Sequence, residues 1–290
     1  MKHLWLLVAL LSALLLRSAQ AAEPVEPQPV PSGVGVSIGW QRGNEWADES
    51  LALLKPPLWM NWIYDHNDDA TYVPMAYSLA TGYHDTYIAA GKLARHKTWL
   101  LGSEPNINTT YTEPSEAALF TQRWVDEVGA PFACCGVIVH HDWSDNLKWL
   151  DVYLTAGGEI PDYWSINLYF HANAQEWQQS LDTFIAWMHA NNIVRPIVVQ
   201  ETAMTEAGNA EALLEYINSK VEDGTIHAAI WYSDLGYWQL WPQSDLRTDT
   251  GELTELGKLY IGLGGAGEPT ADDVVAQPVE YRLWLPAANR

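Results

Sequence analysis

Short apolar runs rich in valine, isoleucine and aromatic residues recur along the chain from residue 34. The runs at 34–38, 58–63, 72–77, 98–103, 133–140, 163–169, 194–200 and 226–232 are bounded by polar or turn-forming residues, which predicts eight strands. Helical spacing falls between most of them, at 48–54, 83–96, 115–128, 146–154, 176–190 and 209–221, with a last stretch at 253–263. Pro114 suits a first helical turn, and Gly264 ends the last stretch. Strands alternating with helices pair in parallel through crossovers. Eight of them close a barrel, so the pattern predicts an α/β fold, a single (β/α)8 TIM barrel over 34–263. The connection from 63 to 72 is too short and polar for a helix and predicts a loop. The alternative is an open doubly wound sheet. Against it, residues 37–43 lack the glycine spacing of a phosphate-binding turn.

The ends do not fit this pattern. Residues 1–21 carry Lys2, an apolar run from Leu4 to Leu16 and Ala19-Gln-Ala21, which reads as a signal peptide; the run is short for a membrane span. A secreted or cell-surface protein with no membrane insertion after cleavage is expected. Residues 22–33 are proline-rich and predict an extended linker outside the core. Residues 264–290 form a C-terminal tail, in which Tyr281, Leu283 and Leu285 alternate as in an added strand.

The formal charge of -21 disfavours nucleic acid and acidic polymers as partners. The 16 tryptophans raise a second possibility, because flat rings stack on sugars; about half are expected in the core. Cys134 and Cys135 are adjacent, and neighbours on a strand point to opposite faces. They are expected to be two buried thiols, with a vicinal disulfide as the alternative.

Barrel chemistry gathers at the C-terminal strand ends. The residues there are Asn61, Trp62 and Asp65 after the second strand and Tyr77 after the third. Glu104 and Asn106 follow the fourth, and His140, His141 and Asp142 the fifth. Asn167, Tyr169 and His171 lie at the sixth, Glu201 at the seventh, and Trp231 and Asp234 at the eighth. Carboxylates, amides, imidazoles and indoles around one rim have the makeup of a sugar cleft. Glu104 and Glu201 each end an apolar run. Retaining glycoside hydrolysis needs two such groups about 5–5.5 Å apart, one protonated and one charged.

The sequence resembles clan A glycoside hydrolases and, more closely, the Asl1-like catalytic cores of glycoside hydrolase family 128, whose described members cleave β-1,3-glucan. Asn61-Trp62 matches the family's Tyr-Asn-Trp element, and Pro74-Met75 its Val-Pro-Met strand. Leu100 to Asn106 matches Leu-Leu-Gly-x-Asn-Glu-Pro with one residue fewer. Asp162 to Tyr169, Val199-Gln200-Glu201 and Ile230-Trp231-Tyr232 follow in order. The resemblance implies Glu104 as acid/base, Glu201 as nucleophile, and Asn61, Tyr169 and Trp231 around the scissile bond. Trp62, Tyr77, Asn106, His140, Asn167 and His171 complete the expected substrate contacts. The family's asparagine before the acid/base is Ser103 here, and its strand-six histidine is Asn167.

The expected function is therefore a secreted retaining glycoside hydrolase of endo-β-glucanase type, monomeric, acting on a neutral polysaccharide such as β-1,3-glucan. The alternatives are a non-catalytic glycan-binding barrel and a transglycosylase using the same residues. No cofactor is expected. His140-His141-Asp142 with Asp65-His66 has no metal-binding spacing, so no metal is expected either. No G-x-S-x-G elbow supports a serine nucleophile. Asn108-Thr109-Thr110 fits a glycosylation acceptor.

Overall fold

The computed structural model describes residues 27–39, 44–64, 69–107, 110–143, 145, 147–204, 208–235 and 241–265. Residues 1–26, which hold the expected leader and part of the expected linker, together with Asp65, His66, Asn108, Thr109 and residues 266–290, lie outside the described residues. The strands are β1 (Gly33–Ser37), β2 (Trp59–Met60), β3 (Met75–Ala76), β4 (Trp99–Leu101), β5 (Phe132–Ile138), β6 (Tyr163–Leu168), β7 (Ile197–Thr202) and β8 (Ala228–Trp231). They pair in parallel in the order β2-β1-β8-β7-β6-β5-β4-β3. A parallel bridge between Trp59 and Tyr72 joins the two ends, with Val73 N donating to Trp59 O at 2.9 Å. The chain is a (β/α)8 barrel.

Among the described residues seven α-helices cover it: α1 (Asn44–Leu54), α2 (His84–Leu93), α3 (Pro114–Glu127), α4 (Lys148–Thr155), α5 (Ala174–Ala190), α6 (Ala210–Glu222) and α7 (Glu255–Tyr260). Their starts are chemically marked. Asn173, Asn209 and Thr254 cap α5, α6 and α7 by accepting a backbone N–H three residues on, which satisfies donors that the helix leaves free. No helix lies between β2 and β3 among the described residues.

Alternation along the strands makes two cores. Leu58, Met60, Met75, Leu100, Ala133, Val198, Ala228 and Ile230 fill the barrel interior. Val36, Trp99, Leu101, Trp164, Ile166, Val199, Ala229 and Trp231 face the helices in a larger outer layer. Trp59, Trp124, Trp149, Trp177 and Trp187 are buried with that layer or beside it, while Trp143 is exposed. Val30, expected in a spacer, is buried in the interior cluster. Its segment is tied to the barrel by Thr98 Oγ1 donating to Gln28 O at 2.6 Å and by His227 Nε2 against Val30 O at 2.7 Å. Apolarity at one position outweighed the surrounding prolines.

Cys134 and Cys135 form a disulfide, against the expected thiols. That expectation rested on strand alternation, which the register shift between Cys135 and Val137 interrupts at this point.

Two strands each carry one extra residue. Cys135 and Val137 pair with consecutive residues of β6, which leaves Gly136 over. Likewise Val199 and Thr202 of β7 pair with Ala229 and Trp231 of β8, which lie two apart. The extras meet: a Cβ on Gly136, whose φ is 64°, would lie 2.7 Å from Gln200 Nε2. Only glycine fits there. The second extra residue decides where the seventh-strand carboxylate points. Val198 faces inward and Val199 outward, so strict alternation would turn Glu201 toward the helices. The bulge resets the phase. Gln200 and Glu201 both face the mouth, and Thr202 takes the outward place, accepting from Trp177 Nε1 at 3.0 Å.

Asp234, expected on the rim, is instead a clasp between β1, α1 and the tip of β8. It is fully buried. Its carboxylate accepts from Gly39 N at 3.0 Å, Trp46 Nε1 at 2.8 Å and Ser50 Oγ at 2.7 Å. Arg247 packs on the Trp46 ring at 4.0 Å and also bonds Ser50. We predict that Asp234→Ala, which removes the acceptor shared by Gly39 N, Trp46 Nε1 and Ser50 Oγ, lowers stability by about 2–4 kcal/mol in urea denaturation; an unchanged midpoint would refute the clasp.

Candidate active site

The turn after β4 puts Glu104 at φ 53°, a left-handed conformation that its neighbours hold. Glu104 N donates to the carbonyl of Gly136 at 2.8 Å, so the β5 bulge is the anchor of the fourth tip. Asn106 completes it. Its Nδ2 donates to Ile138 O and its Oδ1 accepts from Ile138 N, both at 2.9 Å. Asn106 was expected to touch substrate; its amide instead pairs with β5 backbone and pins the loop that carries Glu104.

Glu201 is 5 % exposed and accepts three hydrogen bonds. Trp62 Nε1 donates to Oε1 at 2.8 Å, Ser103 Oγ to the same oxygen at 3.2 Å, and Tyr169 OH to Oε2 at 2.8 Å. Glu104 accepts one long bond, from Asn167 Nδ2 at 3.4 Å. Both departures from the family pattern thus address the carboxylates: Ser103 one, Asn167 the other.

Burial raises the Glu104 carboxyl, against the pull of Asn167. Burial and the nearby Glu104 charge push Glu201 up to about 7, partly offset by Trp62, Tyr169 and Ser103. Each charge opposes the other, so the pair holds a shared proton. The hydrogen bonds decide where it sits. Three donors favour the anion on Glu201, so the proton belongs on Glu104. Tyr169 is raised well above its ordinary value by burial and then by the Glu201 and Glu104 charges, which keeps its hydroxyl a donor. Tyr77, 39 % exposed, is raised by burial and then by the Glu201 and Glu104 charges.

Trp231 is corrected. It is fully buried among the outer-layer residues, its Nε1 donating to Ser244 O at 2.8 Å, and it does not line the mouth. Alternation gives the inward place to Tyr232. Its ring lies 5.5 Å from Trp62 and 6.2 Å from Tyr169. Trp241 adds a further wall, 5.4 Å from Tyr169 and 5.7 Å from Tyr232. Tyr232 was legible from the period of β8; Trp241, in a loop, carried no signal. Asn61 is buried and supports Tyr72, whose hydroxyl donates to Asn61 Oδ1 at 2.9 Å.

His140 and His171 form a separate group with His141. The rings of His140 and His171 lie 5.2 Å apart and those of His140 and His141 4.5 Å apart. Trp143 stacks on His140 at 5.1 Å and reaches Phe170 at 5.7 Å. Burial, with His140 and His141 nearby, pushes His171 down to about 3. The spacing of these histidines in sequence announced no cluster, because two strand tips and α5 assemble it.

No protein-family model matches the chain, and no curated protein matches it. Solved structures do. The chain is similar to an endo-β-1,3-glucanase of glycoside hydrolase family 128, subgroup I, from Amycolatopsis mediterranei, solved with laminaripentaose: 17% identity, TM-score 0.59, covering 80% of this chain and 100% of that one. A subgroup VI exo-β-1,3-glucanase from Aureobasidium namibiae aligns at 16% identity and TM-score 0.59, over 80% and 96%. A subgroup IV endo-β-1,3-glucanase from Lentinula edodes aligns at 20% identity and TM-score 0.54, over 70% and 88%. At such identities the likeness establishes the fold.

The raised carboxyl has a stability consequence. The folded pair keeps one proton between the ordinary glutamate value of 4.5 and about 7, where the unfolded chain has lost it. The folded state binds more protons there, so stability falls as pH rises through that window. Glu201→Gln leaves a single carboxylate with no second charge to raise it. Its melting temperature relative to wild type should rise from pH 4.5 to 7, and parallel melting curves would show that the pair holds no shared proton.

Proposed function

We propose that this protein is a retaining glycoside hydrolase acting on a neutral β-glucan, with β-1,3-glucan the first substrate to test. The observation that carries the reading is the asymmetry of the two carboxylates: three donors on Glu201, one long one on Glu104. That is the division of labour a double displacement requires. The three similar structures, each a β-1,3-glucanase, support the choice of sugar.

In the first step a Glu201 oxygen attacks the anomeric carbon while the bond to the leaving oxygen breaks. Glu104 gives that oxygen its proton. In the second step Glu104 takes a proton from water, whose oxygen attacks the anomeric carbon and releases Glu201. The donors on Glu201 weaken its attack slightly, but they stabilise it as the departing carboxylate. Tyr232, Trp241 and Trp62 provide flat apolar faces beside the pair for pyranose rings. The leader-like residues 1–21 support export, and a monomer suffices, since both carboxylates come from one chain.

The test is hydrolysis of a panel of β-glucans, mannan and xylan by the mature protein and two variants. Glu104→Gln should lower kcat by about 10²–10⁴-fold on substrates whose leaving group needs a proton. Glu201→Ala should abolish turnover. NMR of the first-formed product should show retained β configuration. An inverted product would reject the nucleophile, and polymer binding without turnover would reduce the protein to a glycan-binding barrel. We also expect a bell-shaped pH profile of kcat/KM, with activity requiring one proton on the pair. A profile that stays flat from pH 4 to 9 would exclude that requirement.

A further inference from the structure

We infer that His140, His141 and His171 form a binding site for one divalent transition-metal ion, beside the carboxylate pair and separate from it. One ring nitrogen of each lies within 4.8 Å of the others. Imidazole nitrogens are good ligands for zinc, copper and nickel.

The stronger argument is how each ring is held. Metal-binding histidines characteristically give their second ring N–H to a carboxylate, a backbone carbonyl or another acceptor, which fixes the tautomer and aims the first nitrogen. All three rings have such a partner on Nε2. His141 Nε2 lies 3.4 Å from Asp142 Oδ2, His140 Nε2 lies 3.1 Å from Phe170 O, and His171 Nε2 lies 2.8 Å from Ser180 Oγ. With Nε2 protonated, Nδ1 carries the lone pair in each.

His171 supplies an independent sign. It is fully buried, and its Nδ1 has no hydrogen-bond partner. A buried imidazole nitrogen without a partner is costly unless something fills the place. The other two Nδ1 atoms make long contacts that an ion would replace: His141 Nδ1 lies 3.4 Å from Ser180 Oγ, and His140 Nδ1 accepts from Asp142 N at 3.2 Å.

The size is near but not closed. Zinc–nitrogen bonds of about 2.0–2.1 Å put tetrahedral ligands roughly 3.3 Å apart. The rings, now close to parallel, must tilt toward a common point. His141, whose side chain is 20% exposed, has room to move and opens the route from solvent. Asp142, at 75% side-chain exposure, orients it. An ion here would tie the tips of β5 and β6 together, two residues along the chain from Tyr169.

The test uses the untagged full chain, stripped with a chelator, and needs no substrate. Zn²⁺ is titrated in competition with a chromogenic chelator, and Co²⁺ is read by its visible absorption. Wild type should take up one equivalent, with the intense bands of a tetrahedral site, and should melt at a higher temperature with the ion. His171→Ala should lose at least about 100-fold in affinity, more than the loss of an orienting partner alone gives. His141→Ala, less disruptive to the core, should do the same if His171→Ala fails to fold. Asp142→Asn should lose affinity by about 10-fold. No saturable uptake, or uptake unchanged in His141→Ala, would leave the three rings a packed stack and overturn the site.

Discussion

Two carboxylates at one buried barrel mouth repel each other, and little water is there to screen them. The residues around Glu104 and Glu201 answer that constraint. Trp62, Ser103 and Tyr169 converge on Glu201 from β2, β4 and β6, while among the described residues Asn167 alone donates to the Glu104 carboxylate. Tyr169 can serve because burial and the two charges keep its own proton in place. A uniform set of donors would have stabilised both anions alike and left neither group to carry a proton. The unequal set makes two chemically identical side chains different.

The scaffold keeps that inequality in position by tying tips to tips. Glu104 hangs from the β5 bulge, and Asn106 locks the following loop to Ile138. On the far side, Asp234 and Arg247 bind the segment after β8 to the end of β1 and to α1, next to Tyr232 of the aromatic wall. The apolar interior below the mouth carries none of the chemistry and supports all of it.

Much of this was legible in the chain. All eight strands and the seven helices were visible as period and spacing, and both glutamates as polar ends of apolar runs. What escaped was whatever depended on phase or on distant segments. Trp231 was read as a wall and Tyr232 passed over, because the residue type spoke louder than the alternation that turns Trp231 outward. Asn106 had the right chemistry for a sugar contact, but its partner is backbone thirty-two residues away. The cysteines and Val30 were judged from local rules, strand alternation and proline content, that one register shift and one buried contact set aside. The histidine group needed three elements to meet.

The extra residue in β7 has a consequence for how such chains are recognised. Glu201 faces Glu104 only because the pairing of β7 slips by one residue at Gln200. Pair the same residues in unbroken register and both glutamates remain in the sequence, each still closing an apolar run, yet the second would lie against the helices. The meeting of the two carboxylates is encoded in register as much as in letters. A motif search reads the letters; a chain that kept them and lost the slip would show both glutamates and never bring them together.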